Sequence, residues 1–160
     1  MTESNISLRS VREDDKEFLC ELYCSTRRDE VAAFGWDDAQ IEALLRMQFT
    51  SRASAYKMQF PRAEHSVIFF AEKPAGSLIV NRTDEGISLT DIAVLPEYQK
   101  RGIATHFISL LKVEASSNNK PLVLRVDKTN SSAKKLYEKL GLVVTAETQI
   151  LYEMEWRRQS

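Results

Sequence analysis

The sequence lacks the features that mark several protein classes. Its cysteines number 2, Cys20 and Cys24, too few for a disulfide framework. Spaced four apart, they share a face if the region is helical. With no third or fourth ligand nearby, they read as reduced packing residues rather than half of a metal site. No apolar run approaches the ~20 residues of a membrane span. The opening residues, Met1-Thr-Glu-Ser-Asn5, have neither the basic nor the apolar region of a signal peptide, so the expected compartment is the cytoplasm. Charge of one sign is also missing: Lys plus Arg is 22, Asp plus Glu is 23 and the net charge is −1. That excludes attraction of nucleic acid or acidic membrane by the surface as a whole. Glycine (5) and proline (4) are sparse, and no repeat, low-complexity segment or linker interrupts the chain. What remains is 160 residues, 43% hydrophobic and 28% charged, enough for one soluble domain over 1–160 with a core of its own.

Apolar periodicity predicts the order β-α-α-β-β-β-α-β-α-β-β. An opening strand runs Ile6–Val11. A helix bearing Phe18, Leu19, Leu22 and Tyr23 follows the acidic start Glu13-Asp14-Asp15. Phe34-Gly35-Trp36 breaks it, and Asp37 or Asp38 caps a second long helix that Pro61 ends. Strands Val67–Ala71 and Gly76–Asn81 are joined by a turn at Glu72–Ala75. The turn Asp84-Glu85-Gly86 leads into the strand Leu89–Val94. After the helix from Gly102 to about Ser116 come the apolar strand Leu122–Val126, a helix capped by Asn130 or Ser131 and ended by Gly141, and strands Val143–Thr145 and Gln149–Trp156.

The densest chemistry lies at residues 89–104. Pro96 stops a strand, and the basic turn Gln99-Lys100-Arg101-Gly102-Ile103-Ala104 opens a helix. The first helical turn has unsatisfied N–H groups and a dipole that favours anions. Gly102 has no side chain to keep a ligand from the backbone, and Ala104 is small. Neither Gly-x-x-x-x-Gly-Lys-Ser/Thr nor Gly-x-Gly-x-x-Gly is present. The turn resembles the acyl-CoA loop of the Gcn5-related N-acetyltransferase (GNAT) family, Gln/Arg-x-x-Gly-x-Gly/Ala after a strand. About thirty residues on, Asn130-Ser-Ser-Ala133-Lys-Lys-Leu136-Tyr137-Glu-Lys-Leu-Gly141-Leu142 resembles that family's Asn-x-x-Ala-x-x-Leu-Tyr-x-x-x-Gly-Phe segment. The resemblance covers roughly residues 66–155.

The resemblance implies an α/β (α+β) fold: a mixed, mostly antiparallel sheet of about seven strands flanked by about four helices. It implies acetyl-CoA as cofactor, no metal, and transfer of an acetyl group to a primary amine of a small molecule or a peptide. Nucleic acid and membrane are not expected partners, and a homodimer stays open. The diphosphate would rest on Gln99, Lys100, Arg101, Gly102, Ile103, Ala104 and Thr105. The peptide-like pantetheine arm would pair with the edge of Ile92-Ala93-Val94, which in the family is opened by a bulge and by the next parallel strand splaying away. Asn130 would hold the arm, Ala133 would leave room for it, and Tyr137 would act as general acid to the leaving thiolate.

The base is less well marked. Arg125 and Ser88 stand where relatives carry glutamates, and Asp91 is the nearest carboxylate; a water chain is the alternative. Glu72 and Glu85 read as hairpin-turn residues, and His65 and His106 as surface and half-exposed positions. Phe34, Trp36 and Asp37 read either as an amine-holding pocket or as a packed inter-helix turn with an N-cap. The missing base also motivates a second reading, a CoA-binding sensor without turnover.

Overall fold

The structure, a computed structural model, describes residues 5–32 and 34–159. Its strands are β1 (Ile6–Ser10), β2 (Glu64–Phe70), β3 (Lys73–Arg82), β4 (Ile87–Val94), β5 (Leu122–Asp127), β6 (Val143–Glu147) and β7 (Leu151–Trp156). The helices are α1 (Lys16–Ala32), α2 (Asp38–Gln59), α3 (Ile103–Ser117) and α4 (Ser131–Lys139). One 7-stranded sheet has the order β1-β2-β3-β4-β5-β7-β6. The element order and the sheet agree with expectation. β4 and β5 are parallel, joined through α3 as a strand–helix–strand crossover. The pairs β1–β2, β5–β7 and β6–β7 are antiparallel.

Contacts divide the chain into two compact units. One contains the residues up to Leu78 together with Ile92–Arg101. Its helices α1 and α2 share a core of Cys20, Cys24, Val31, Ile41 and Leu45, with Tyr23, Leu44 and Phe49 against it. Both cysteines are free and buried, and burial pushes the Cys24 thiol up to about 11, with the neighbouring Cys20 adding to it. The Cys24 thiol is therefore a packing group rather than a nucleophile. Asp37 caps α2 through its side chain, which accepts the Gln40 N–H at 2.8 Å. The Gln40 side chain returns the bond to the Asp37 N–H at 3.0 Å, a reciprocal capping box. At the N-terminal end, Asp15 accepts two bonds of 2.9 Å from the Arg9 guanidinium and one of 2.7 Å from the Arg12 N–H.

One local expectation is corrected. The turn between β2 and β3 is not Glu72–Ala75 but the pair Ala71–Glu72, with φ of 50° and 69°. Two successive left-handed residues match the twist of a tight hairpin, so Lys73, Pro74 and Ala75 belong to β3. The strand edges elsewhere shift by a few residues, as β2 starts at Glu64 and β4 at Ile87.

The second unit contains Ile79–Asp91 and Gly102–Ser160. Ile103, Phe107, Ile108, Leu111 and Ala115 recur at helical spacing and are the buried positions of α3. Leu122, Leu124 and Val126 alternate inward along β5, while Arg125 points out. The helix α4 ends in a Schellman motif: Gly141, at φ 97°, donates to Glu138 O at 3.0 Å and Leu142 donates to Tyr137 O at 3.0 Å. That left-handed residue requires glycine.

Candidate active site

The approach to the turn starts in β3. A Cβ built on Gly76 would lie 2.2 Å from the Ala93 carbonyl oxygen, so only glycine lets β3 pass the last residues of β4 this closely. Just beyond, the Leu95 N–H bonds Ala75 O at 2.8 Å, which anchors the chain as it leaves Ile92-Ala93-Val94. A single turn, Pro96–Tyr98, reverses direction. Gln99 then braces the loop from inside: its side-chain amide donates to Val94 O at 3.0 Å. Lys100 takes a left-handed conformation, φ 63°, as does Gly102, φ 81°. Arg101 lies with its guanidinium 5.7 Å from the Phe70 ring and 5.8 Å from the Tyr98 ring.

Gly102 is the N-cap of α3, and a Cβ there would meet nothing within 4 Å. The space over that backbone is open. The first helical bond of α3 is His106 N–H to Gly102 O, 2.9 Å. The N–H groups of Ile103, Ala104 and Thr105 therefore precede the ladder and have no intrahelical acceptor. The side chain of Ile103 is buried, so this residue offers its backbone only. These donors suit the anionic end of coenzyme A.

In the second unit the parallel ladder between β4 and β5 is short. Ile87, Ser88 and Leu89 pair with Leu122, Val123 and Leu124. The other side of β5 is paired with β7 throughout, Leu122↔Trp156 to Asp127↔Leu151. Thr90 Oγ1 is buried without a hydrogen-bond partner among the described residues. An orphaned hydroxyl and an open turn fit a ligand that carries amides and phosphates.

Asn130 is the N-cap of α4; its Oδ1 accepts the Ala133 N–H at 3.2 Å. That use leaves the amide NH₂ as the group able to face a ligand. One turn beyond Ala133, Tyr137 is 9% exposed. Burial, and next the negative charge of Asp91, push its phenol up to about 12. The two residues thus lie within electrostatic reach of each other, and the hydroxyl keeps its proton at neutral pH.

The vacant base positions are as the sequence indicated. Arg125 is exposed, with its guanidinium 3.6 Å from Glu153, and Ser88 pairs opposite Val123. Glu72 and Glu85 are exposed turn residues. His106 is half-buried and edge-on to Phe107 at 4.9 Å, and His65 lies in β2. Near α2, Phe34 and Trp36 are 59% and 44% exposed and meet edge to face at 5.7 Å. They are not a packed turn. Asp37 is an N-cap, so its carboxylate is already engaged. An open groove of about 370 Å³ beside them is lined by Trp36, Gln40, Ala43, Leu44 and Met47.

Among the described residues, no cluster of three or more His, Cys, Asp and Glu stands where a metal ion could bind. None of their helices is long and apolar enough to cross a membrane.

The profile of the acetyltransferase (GNAT) family matches residues 17–142. The chain belongs to that family. It is an acyl-CoA-dependent N-acetyltransferase that transfers an acetyl group from acetyl-CoA to an amine. Solved structures share the fold. The PaiA N-acetyltransferase of Thermoplasma acidophilum, in complex with coenzyme A, is 18% identical at a TM-score of 0.72, over 96% of this chain and 99% of that one. The spermidine N-acetyltransferase of Vibrio cholerae, in complex with CoA and spermine, is 20% identical at 0.66, over 96% of both chains. An Arabidopsis thaliana protein in complex with the bisubstrate analogue CoA-Ac-MVNAL is 17% identical at 0.62, over 96% and 99%. No curated protein matches the sequence.

Local sequence did not flag Gly76, Thr90 or the rings of Phe70 and Tyr98 as site features. Gly76 had a signal, since an isolated glycine in a strand marks a bulge or a close backbone approach. The placement of Phe70 beside Arg101 joins residues 31 apart in the chain, and no local pattern announces it.

Proposed function

We propose that the whole chain, 1–160, works as one acetyltransferase domain, because the family match runs through both compact units. In this reading the diphosphate of acetyl-CoA is held by Gln99–Thr105, mainly through backbone N–H groups. The pantetheine arm pairs along Ile92, Ala93 and Val94, with the Asn130 amide and the space beside Ala133 on its other side. The observation that carries this is the turn itself: Gly102 in a left-handed conformation with open space above it, leading into three N–H groups without intrahelical partners.

When bound, acetyl-CoA supplies an acetyl thioester. The amine nitrogen attacks its carbonyl, the C–S bond breaks, the amine loses a proton and the sulfur gains one. Tyr137, protonated at neutral pH, donates a hydrogen bond to the sulfur as charge builds there and passes its proton on. A phenol at about 12 gives up that proton less readily than one at its ordinary value, so hydrogen bonding carries most of the stabilisation. Asp91, half-buried beside it in β4, takes the proton of the attacking amine directly or through water.

The acceptor is a small molecule or a peptide amine. The two kinds of relative named above, one holding spermine and one holding a peptide-bearing analogue, support the same range. Phe34 and Trp36 with the adjoining groove form the acceptor pocket in this reading, while Asp37 caps the helix beside them. The enzyme acts in the cytoplasm, where its free thiols stay reduced. It pairs as a homodimer through β6, whose five residues all lie exposed at the sheet edge.

A thiol-release screen over polyamines, amino acids, aminoglycosides and N-terminal peptides tests the activity. Acetyl-CoA binding with no release on any amine would replace the enzyme with a sensor. Gly102→Glu tests the site: a carboxylate over the turn should abolish calorimetric CoA binding, and unchanged affinity would overturn the assignment.

A further inference from the structure

We propose that Phe70 and Tyr98 form a platform that fixes the Arg101 guanidinium so that its N–H edge meets a phosphate of coenzyme A. The proposal rests on the cofactor site assigned above. Arg101 is exposed, immediately before Gly102. The two rings lie 5.8 Å apart, tilted at 50°, and the guanidinium carbon is 5.7 Å and 5.8 Å from their centroids. These are cation–π distances to both rings at once. None of the ion pairs among the described residues includes Arg101. Its charge is therefore not neutralised by a carboxylate of the protein.

The geometry decides what is left over for a ligand. The rings attract the guanidinium by its charge and use none of its five N–H groups as hydrogen-bond donors, so these stay available to a ligand. A phosphate oxygen pair matches the N–H edge in a bidentate way. An arginine free in solvent would lose its rotamer freedom on binding; one already held near two rings loses less. Tyr98 is half-buried and Phe70 closes the end of β2, so both rings come from fixed elements. Lys100, next to Arg101, has no planar face and acts only as a point charge. The phosphate could be the diphosphate or the ribose 3′-phosphate, since both present the same oxygens.

Isothermal calorimetry with CoA and with 3′-dephospho-CoA tests this on the full chain, with melting curves as the folding control. Arg101→Gln should weaken CoA about 10-fold, the scale of one charge-assisted contact. Tyr98→Leu should weaken it several-fold, and the double variant should bind no worse than Arg101→Gln alone, because the platform acts through the arginine. Arg101→Lys, at an exposed position where folding is not at stake, should fail to restore wild-type affinity. If the Arg101→Gln penalty disappears with 3′-dephospho-CoA, the contact is the 3′-phosphate; if it persists, the contact is the diphosphate. Lysine binding as well as arginine, additive losses from Tyr98→Leu and Arg101→Gln, or an Arg101→Gln variant of unchanged affinity would each overturn the platform. Failure of the wild-type chain to bind either ligand would instead overturn the cofactor site itself.

Discussion

Gly76→Ala is the most discriminating single change that the structure offers. The added methyl would sit 2.2 Å from the Ala93 carbonyl oxygen and 3.1 Å from the Val94 Cα. Ordinary carbon–oxygen contact is near 3.3 Å, so the two strands must part by about 1 Å. The obstacle is backbone, which cannot swing aside as a side chain would. Forcing one carbon into a packed site costs roughly 1–3 kcal/mol. Against that, alanine restricts the unfolded chain and returns about 0.4–1 kcal/mol. The net expectation is a loss of roughly 1–2 kcal/mol, or about 2–8 °C in melting temperature for a chain of this size. The displacement falls on Ile92-Ala93-Val94, so CoA affinity should drop with stability. Differential scanning calorimetry and CoA titration measure the two effects. A variant that melts with the wild type and binds CoA equally well would refute the claim that this close approach positions the edge of β4.

Four further outcomes are expected with it. Tyr137→Phe should leave CoA affinity intact and lower kcat on the order of 10²-fold; equal turnover would mean that water protonates the sulfur. The buried phenol is pushed from its ordinary 10 up to about 12, so it stabilises the fold below pH 10 and that contribution fades as the pH rises from 10 toward 12; in alkaline melts Tyr137→Phe should therefore lose less stability than the wild type over that interval. The Asp15 carboxyl is held at about 2, against an ordinary 3.8, first by its hydrogen bond from Arg9 and next by that from Arg12. Asp15→Asn should therefore melt below the wild type at pH 7, with the gap closing between pH 4 and 2; a gap of constant size would place its origin elsewhere. Trp36→Ala should raise the acceptor KM without changing acetyl-CoA affinity, and a lower melting temperature with unchanged kinetics would make the residue a packing group.

The sequence was most readable where one residue type has one physical use. Gly102 and Gly141 stand at left-handed positions, Asp37 and Asn130 at helix starts, and Pro61 follows the end of α2. Gly141 and Pro61 were evident from local chemistry alone; the caps were narrowed to Asp37 or Asp38 and to Asn130 or Ser131, Gly102 was read for close approach rather than for its φ, and Leu122–Val126 as an apolar strand without its alternation. The turn at Ala71–Glu72 was missed because neither residue favours a positive φ, while Pro74 next to them is a familiar turn residue. Here the hairpin twist of β2 and β3 overrode local preference. Asp37 illustrates a different difficulty. A carboxylate beside two aromatic rings suits both a cap and a cation, and only its bond to the Gln40 N–H shows which use it has. The Arg101 platform and the burial of Tyr137 depend on partners distant in the chain, which is why their chemistry emerged only with the fold.

The short ladder between β4 and β5 carries one more consequence. Sheets normally confine unsatisfied backbone to their two outermost strands, where short length and charge guard against capture of a stray chain. Here the ladder has three paired positions, and in the cofactor placement proposed above the next residues of β4 offer an extended partner the same kind of edge. In that placement the pantetheine arm covers those residues. The proposed placement would thus make cofactor binding a protection against misassembly as well as the supply of an acetyl group. Expression or storage with coenzyme A in excess should slow aggregation by more than the increase in melting temperature alone would account for.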